Sequence, residues 1–263
     1  MKRENRFRTI LALLDGQDRV NVEDLASRFR VSPETIRRDL SVMSERGLLR
    51  KVYGGAVKFQ SAQENSPMLR VKQYTAQKML IAQYAARFVQ PGDSLFVNAG
   101  TTTTIFAREL VKSVDHLIVI TNSPQIAHEF WNNGQSANSI YLLGGDYNGA
   151  EVETLGSTIV DQVRRFHTDH AFLTVGTLHA VQGFMDYRVE TAEMNRTMVK
   201  QTQRATVLID SSKLDQMALI TACDLDTIDR LVTDSPPSDA LAAAVLKAGT
   251  QLYIAEKSPK PLP

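Results

Sequence analysis

The chain has 263 residues, 43% hydrophobic and 22% charged, the balance of an ordinary soluble globular protein long enough to bury a core without disulfides or metal. One cysteine, Cys223, excludes an internal disulfide, and no apolar run approaches the roughly 18 residues a membrane span needs. The net charge of +1 hides an asymmetry: residues 1–58 carry 13 Lys/Arg against 8 Asp/Glu, a net of +5, and the remainder nets −4.

A basic head on an acidic body is what a nucleic-acid-binding module joined to a second domain displays. Met1–Arg6 is basic but lacks a following apolar core or cleavage site, so no secretory signal is expected and the reading is cytoplasmic. Phe7, Ile10, Leu11 and Leu14 recur at helical spacing before Gly16. Asn21 is a suitable N-cap for a second helix, with Glu23 and Asp24 in its first turn and Leu25, Ala26 and Phe29 inward.

A third helix opens at Ser32-Pro33-Glu34-Thr35, Ser32 capping and Pro33 occupying the first helical position. Ile36, Leu40 and Met43 form its apolar stripe, while Glu34, Arg38, Ser41 and Glu45 point away and Thr35 and Arg37 flank them. Such a helix start suits the major groove of DNA, where arginine reads guanine through its two-pronged fork. Beyond Gly47, the segment Leu48–Val57 predicts two short strands around Gly54-Gly55, a wing with Arg50 and Lys51 near the phosphate backbone. The expected DNA-contacting set is Ser32, Pro33, Glu34, Thr35, Arg37, Arg38, Ser41, Arg50 and Lys51. A three-helix module for protein contacts is the plainer alternative, but paired arginines and a basic wing together favour DNA.

The run Val31-Ser32-Pro33-Glu34-Thr35-Ile36-Arg37-Arg38-Asp39-Leu40, followed by Gly47-Leu48 and Gly54-Gly55-Ala56, resembles the signature of DeoR/GlpR-type bacterial regulators. The resemblance implies a winged helix-turn-helix over 1–57 and a repressor of sugar or polyol metabolism genes.

Residues 58–75 lose periodicity and read as a linker. Over 76–263, apolar runs at 94–97, 117–120, 140–143, 171–175, 206–209 and 231–233 are mostly separated by helical segments. This predicts an α/β domain with a mostly parallel sheet covered on both faces, binding its ligand beyond the strands' carboxyl ends. Polar residues gather there: Asn98, Gly100, Thr101, Thr102 and Thr103 run from a strand into a helix whose free amides favour a phosphate. Thr121, Asn122, Gly144, Gly145, Asp210 and Lys213 repeat the theme, Lys213 being suited to a phosphate and Asp210 to hydroxyls.

These segments, with Glu190, Glu193, Arg196 and Thr233-Asp234, also look like the DeoR/GlpR sensor pattern, a domain similar to ribose-5-phosphate isomerase. The resemblance implies a phosphorylated sugar or polyol as effector, with Glu190 completing the expected effector set. Asn98 stands where the family often has Asp, Asn195 where Lys is frequent, and Thr177-Leu178-His179 where a Gly-x-Asp-like turn is usual.

The alternative is a sugar-phosphate isomerase-like enzyme with an appended DNA-binding head, using Glu190 or Glu193 as base and Lys213 in support. Glutamates near a helix start are more often dipole partners, and fold similarity does not establish catalysis. The five histidines show no metal-ligand spacing and Cys223 lies in an apolar stretch, so no catalytic residue, metal or cofactor is expected. The expected partners are operator double-stranded DNA, the effector and further copies of the chain in a dimer or tetramer, because symmetric dimers match paired half-sites. A body serving mainly as an oligomerisation scaffold is a third, weaker reading.

Overall fold

The computed structural model describes residues 3–16, 19–45, 49–58, 67–133 and 137–256. The chain divides into two compact units, Met1–Gln63 and Glu64–Pro263.

The first unit holds α1 (Arg3–Gly16), β1 (Arg19–Asn21), α2 (Val22–Phe29), α3 (Pro33–Glu45), β2 (Leu49–Val52) and β3 (Gly55–Lys58). Phe7, Ile10 and Leu14 of α1 meet Leu25 and Ala26 of α2 and Ile36, Leu40 and Met43 of α3 in one core, as their spacing predicts. Asn21 caps α2 by accepting the Glu23 amide at 3.0 Å, and Arg30 ends the helix in the left-handed conformation. The wing is larger than expected. β1 joins β3 on the side opposite β2, giving a three-stranded antiparallel sheet in the order β1-β3-β2. Gly55 is obligatory there, because a Cβ would lie 2.0 Å from the Val20 carbonyl oxygen.

The apolar stripe of α3 also contains an acid. Asp39, 2% exposed, accepts from Arg6 Nε at 2.6 Å and Arg3 Nε at 3.2 Å, fastening α3 to α1. Part of the basic charge of this unit is therefore spent internally.

The second unit begins with α4 (Pro67–Lys72), a helix inside the stretch expected to be linker; residues 59–66 lie outside the described ones. Then follow α5 (Thr75–Ala86), β4 (Ser94–Val97), α6 (Thr101–Leu110), β5 (Ile118–Thr121), α7 (Pro124–Asn133), β6 (Ser139–Leu142), β7 (Asp146–Asn148), β8 (Glu153–Leu155) and α8 (Ser157–Val163). The chain continues through β9 (Thr168–Leu173), β10 (Thr177–His179), β11 (Gly183–Asp186), α9 (Val189–Lys200), β12 (Thr202–Leu208), β13 (Ile220–Cys223), β14 (Arg230–Thr233), α10 (Asp239–Lys247) and β15 (Gln251–Ile254).

Seven strands form one parallel sheet in the order β15-β14-β12-β9-β4-β5-β6. Alternate residues serve opposite layers. Leu95, Val97 and Val119 pack with α5, α6 and α7, whereas Phe96, Ile120 and Ala171 pack with α8 and α9. The chain steps outward from β4 to β6, then returns to lay β9 against the other side of β4. The winding direction thus changes between β4 and β9, where open α/β sheets leave a crevice at their carboxyl ends. Two additions were not expected: the antiparallel sheet β10-β11-β13 and the hairpin β7-β8.

Candidate functional site

On the first unit, Ser32 Oγ accepts the Thr35 amide at 3.2 Å and lies 2.9 Å from Thr35 Oγ1, so both hydroxyls sit at the start of α3 beside Pro33. Glu34, Arg37 and Arg38 are exposed; Arg37 leans on Glu34 at 3.4 Å and on Glu23 at 4.0 Å. Such exposed pairs are worth little and yield readily to a phosphate or a base edge. Lys51 of β2 donates to Ser41 Oγ at 2.8 Å, tying the wing to α3, and Ser41 in turn donates to the Arg37 carbonyl. Arg50 lies on β2 opposite Val57, its side chain outside the described ones. The expected set thus shares the α3 start and the adjoining wing. Tyr53, outside the expected set, is 99% exposed at the turn between β2 and β3.

On the second unit, a small, partly open cleft of about 60 Å³ lies at the change of winding direction. Its wall includes Arg70, Gly100, Glu151, Glu153, Asp186 and Arg188, with the segment from Thr174 to Gly176. Among the expected effector residues, Gly100 alone stands in that wall; the others support it or lie elsewhere. Asn98, 1% exposed, clamps the two strand ends: its Oδ1 accepts the Thr174 amide at 2.9 Å and its Nδ2 donates to the Thr174 carbonyl at 2.8 Å. Thr101 opens α6, and Thr102 and Thr103 are buried at 2% and 0%, with Thr103 Oγ1 donating to the Gly100 carbonyl. Thr121 and Asn122 are buried too; Asn122 accepts the Ala99 amide at 2.7 Å and shapes the loop from beneath. Gly144 exchanges hydrogen bonds with the Gln162 side chain, and Gly145 abuts the Leu155 carbonyl.

Asp210 is 1% exposed and accepts from Ser212, and Lys213 donates to the Val175 carbonyl at 3.0 Å, behind the cleft wall. Glu190 is half exposed and faces Arg188 at 3.7 Å. Glu193 lines a different depression, with Arg164, Arg196 and Lys200, so the glutamates and Lys213 do not converge as an acid–base set.

Asn98 and Asn195, two of the residues that depart from the resemblance, touch each other. Asn98 Nδ2 donates to Asn195 Oδ1 at 2.8 Å, and Asn195 Nδ2 donates to Asp186 Oδ2 at 2.9 Å. The Asp186 carboxylate also accepts the Gly176 amide at 2.9 Å. A chain of two neutral amides ending on one buried carboxylate therefore lies under the cleft. Asp186 was missed, although an acid closing the strand Gly183-Phe184-Met185-Asp186 is a strand-end signal of the kind used elsewhere.

Burial pushes the Cys223 thiol up to about 12, with Asp186 adding to the rise, so it stays protonated and is a core residue. Burial also lowers His170 below the usual histidine value, against the pull of Asp93. No cluster of three or more His, Cys, Asp or Glu able to hold a metal occurs among the described residues.

Residues 6–62 match the DeoR-like helix-turn-helix domain, and residues 73–235 match the DeoR C-terminal sensor domain. The chain belongs to the DeoR family. Like other members it couples a helix-turn-helix head to a sensor. It is 28% identical to the glycerol-3-phosphate regulon repressor of Haemophilus influenzae over 237 residues, 90% of this chain and 91% of that protein. It is 29% identical to the transcriptional repressor GlcR of Bacillus subtilis, over 98% of both chains. Among solved structures, ribose 5-phosphate isomerase A from Methanocaldococcus jannaschii aligns at 16% identity with a TM-score of 0.39, covering 54% of this chain and 55%, about half, of the isomerase. The two sequence relatives are named as repressors, and the DeoR assignment sets aside the enzyme alternative.

Proposed function

We propose that this DeoR-family protein is a transcriptional repressor of a carbohydrate or polyol utilisation operon, released from its operator by a phosphorylated sugar or polyol. The observation that carries the DNA-binding half is the capped start of α3, with Arg37 and Arg38 exposed beside a wing tied to it by Lys51. Helix starts of this kind enter the major groove, with base edges read by the exposed arginines and phosphates held by hydroxyls and wing. The effector half is supported by the position of the cleft, at the strands' carboxyl ends and beside the start of α6. The relatives named for glycerol-3-phosphate regulation point to the same ligand class.

Two copies acting on paired half-sites, in the cytoplasm, complete the reading. No helix among the described residues is long and apolar enough to cross a membrane. For the effector to induce, it must bind the released arrangement more tightly than the DNA-bound one.

Replacing Arg38 by Ala is the decisive experiment. Losing one fork-like base contact is worth about 1–3 kcal/mol, so operator affinity should fall by roughly 5- to 150-fold. The residue is exposed, so thermal stability should hold within about 0.5 kcal/mol. Gel-shift titration on operator fragments recovered by genome-wide footprinting measures this. Undiminished affinity in the variant refutes the assignment of α3.

A further inference from the structure

We infer that Arg70 is the anchor for the effector's anionic group, and that its exchange of Glu151 for the ligand is the step that reports binding to the chain. This rests on the reading of the cleft as the effector site. Arg70 lies on α4, the element that follows residues 59–66, and its side chain is only 10% exposed in the cleft wall. Its guanidinium pairs with Glu151, in the turn between β7 and β8. The backbone of the same residue is held from the opposite side. Lys78 of α5, 3% exposed, donates to the Arg70 carbonyl at 2.6 Å and to the Gln73 carbonyl at 3.0 Å. One residue thus joins three things: the cleft, the β7-β8 hairpin and the helix leading into the sensor.

The charges of the wall say which group an anion would use. Glu151, Glu153 and Asp186 outnumber Arg70 and Arg188, and Arg188 is half exposed and already faces Glu190. Arg70 is the buried cation of the wall. A guanidinium binds carboxylate and phosphate through the same fork, and a phosphate brings more charge and more acceptor oxygens. Gly100, in the same wall, adds the amide-rich start of α6. Glu151 is 27% exposed, so it returns to water at small cost when displaced. The exchange leaves α4 clamped by Lys78 but without its pairing to Glu151 of the hairpin. A ligand able to take Arg70 therefore favours the arrangement without that tie.

The test uses the full chain and isothermal titration with glycerol 3-phosphate, glucose 6-phosphate and fructose 6-phosphate, with glycerol and inorganic phosphate as controls. Arg70→Gln should weaken the sugar phosphate that binds the wild type by about 30-fold, the size of a lost charge-assisted pair. Glu151→Gln breaks the same pair but removes the competitor, so it should tighten that ligand by about two- to fivefold. In gel shifts, Arg70→Gln should stay on the operator at ligand concentrations that release the wild type. Wild-type protein that binds none of the three sugar phosphates overturns the effector reading itself, and the inference with it. Wild-type binding with Arg70→Gln within twofold overturns the inference alone. Equal weakening by both variants makes the pair a structural tie, and overturns it too.

Discussion

Replacing Asp39 by Ala should unfold the DNA-binding head while leaving the sensor folded. Asp39 is 2% exposed between α1 and α3 and accepts from both Arg6 and Arg3. Arg6 is itself only 9% exposed, so removing the carboxylate takes a counter-charge from a cation that water reaches poorly. Breaking a buried pair in this one-sided way costs about 3–5 kcal/mol, far more than the intact pair contributes. A unit ending at Gln63 is small, and small domains hold little stability in reserve. Calorimetry of the full chain should lose the head's transition and keep the sensor's, and operator binding should vanish with the former. Asp39→Asn, which preserves shape and one acceptor, should be damaged less. A head transition unchanged in Asp39→Ala would remove the triad from the account of stability.

The second large effect is expected at Gly100. A Cβ there would lie 2.2 Å from Thr174 Cγ2 and 3.1 Å from Thr103 Oγ1. The backbone torsion is not the obstacle, since φ is 168° and any residue adopts it. The obstacle is space, and Thr174 cannot retreat because Asn98 holds both its amide and its carbonyl. Gly100→Ala should therefore push the 98–100 loop into the cleft, costing about 1–3 kcal/mol of stability and the effector response with it. Operator binding should persist in the presence of the effector. Thr174→Ala in the same chain removes the offending methyl and should restore the response, which a global defect would not allow. Failure of the double variant to recover effector binding would show that Gly100 acts otherwise than by close approach.

These two residues also mark what sequence reading can reach. The periodic stripes of α1 to α3 and six of the seven parallel strands were legible, because each is a local pattern with one solution. β15 was missed because its run, Gln251–Ile254, is mixed in polarity and only partly buried at the sheet edge. β10 and β11 form a hairpin of very short strands, and β13 joins it from a distant segment, Phe184 pairing with Cys223, a fact no local period carries. The strand-end rule pointed to the end of the sheet where the cleft opens, but of the residues it named only Gly100 lines that cleft. Hydroxyls and amides there, such as Thr103 and Asn122, turned inward to satisfy backbone groups. The charged wall residues, Arg70, Glu151 and Asp186, come from a helix within the expected linker, a hairpin turn and an accessory strand. Asp39 was read as part of a motif, yet its partners lie 33 and 36 positions away.

The placement of β9 beside β4 has a consequence for the order in which the protein is made. β4 ends at Val97, but the neighbour that completes its pairing, and with it the crevice, begins at Thr168. Contacts of such separation form slowly, whereas the head closes on contacts within its own short span. Synthesis runs from the N-terminus, and domains fold as units as they emerge. Each nascent chain thus carries a finished reading head for a time before it has any means of being told to let go.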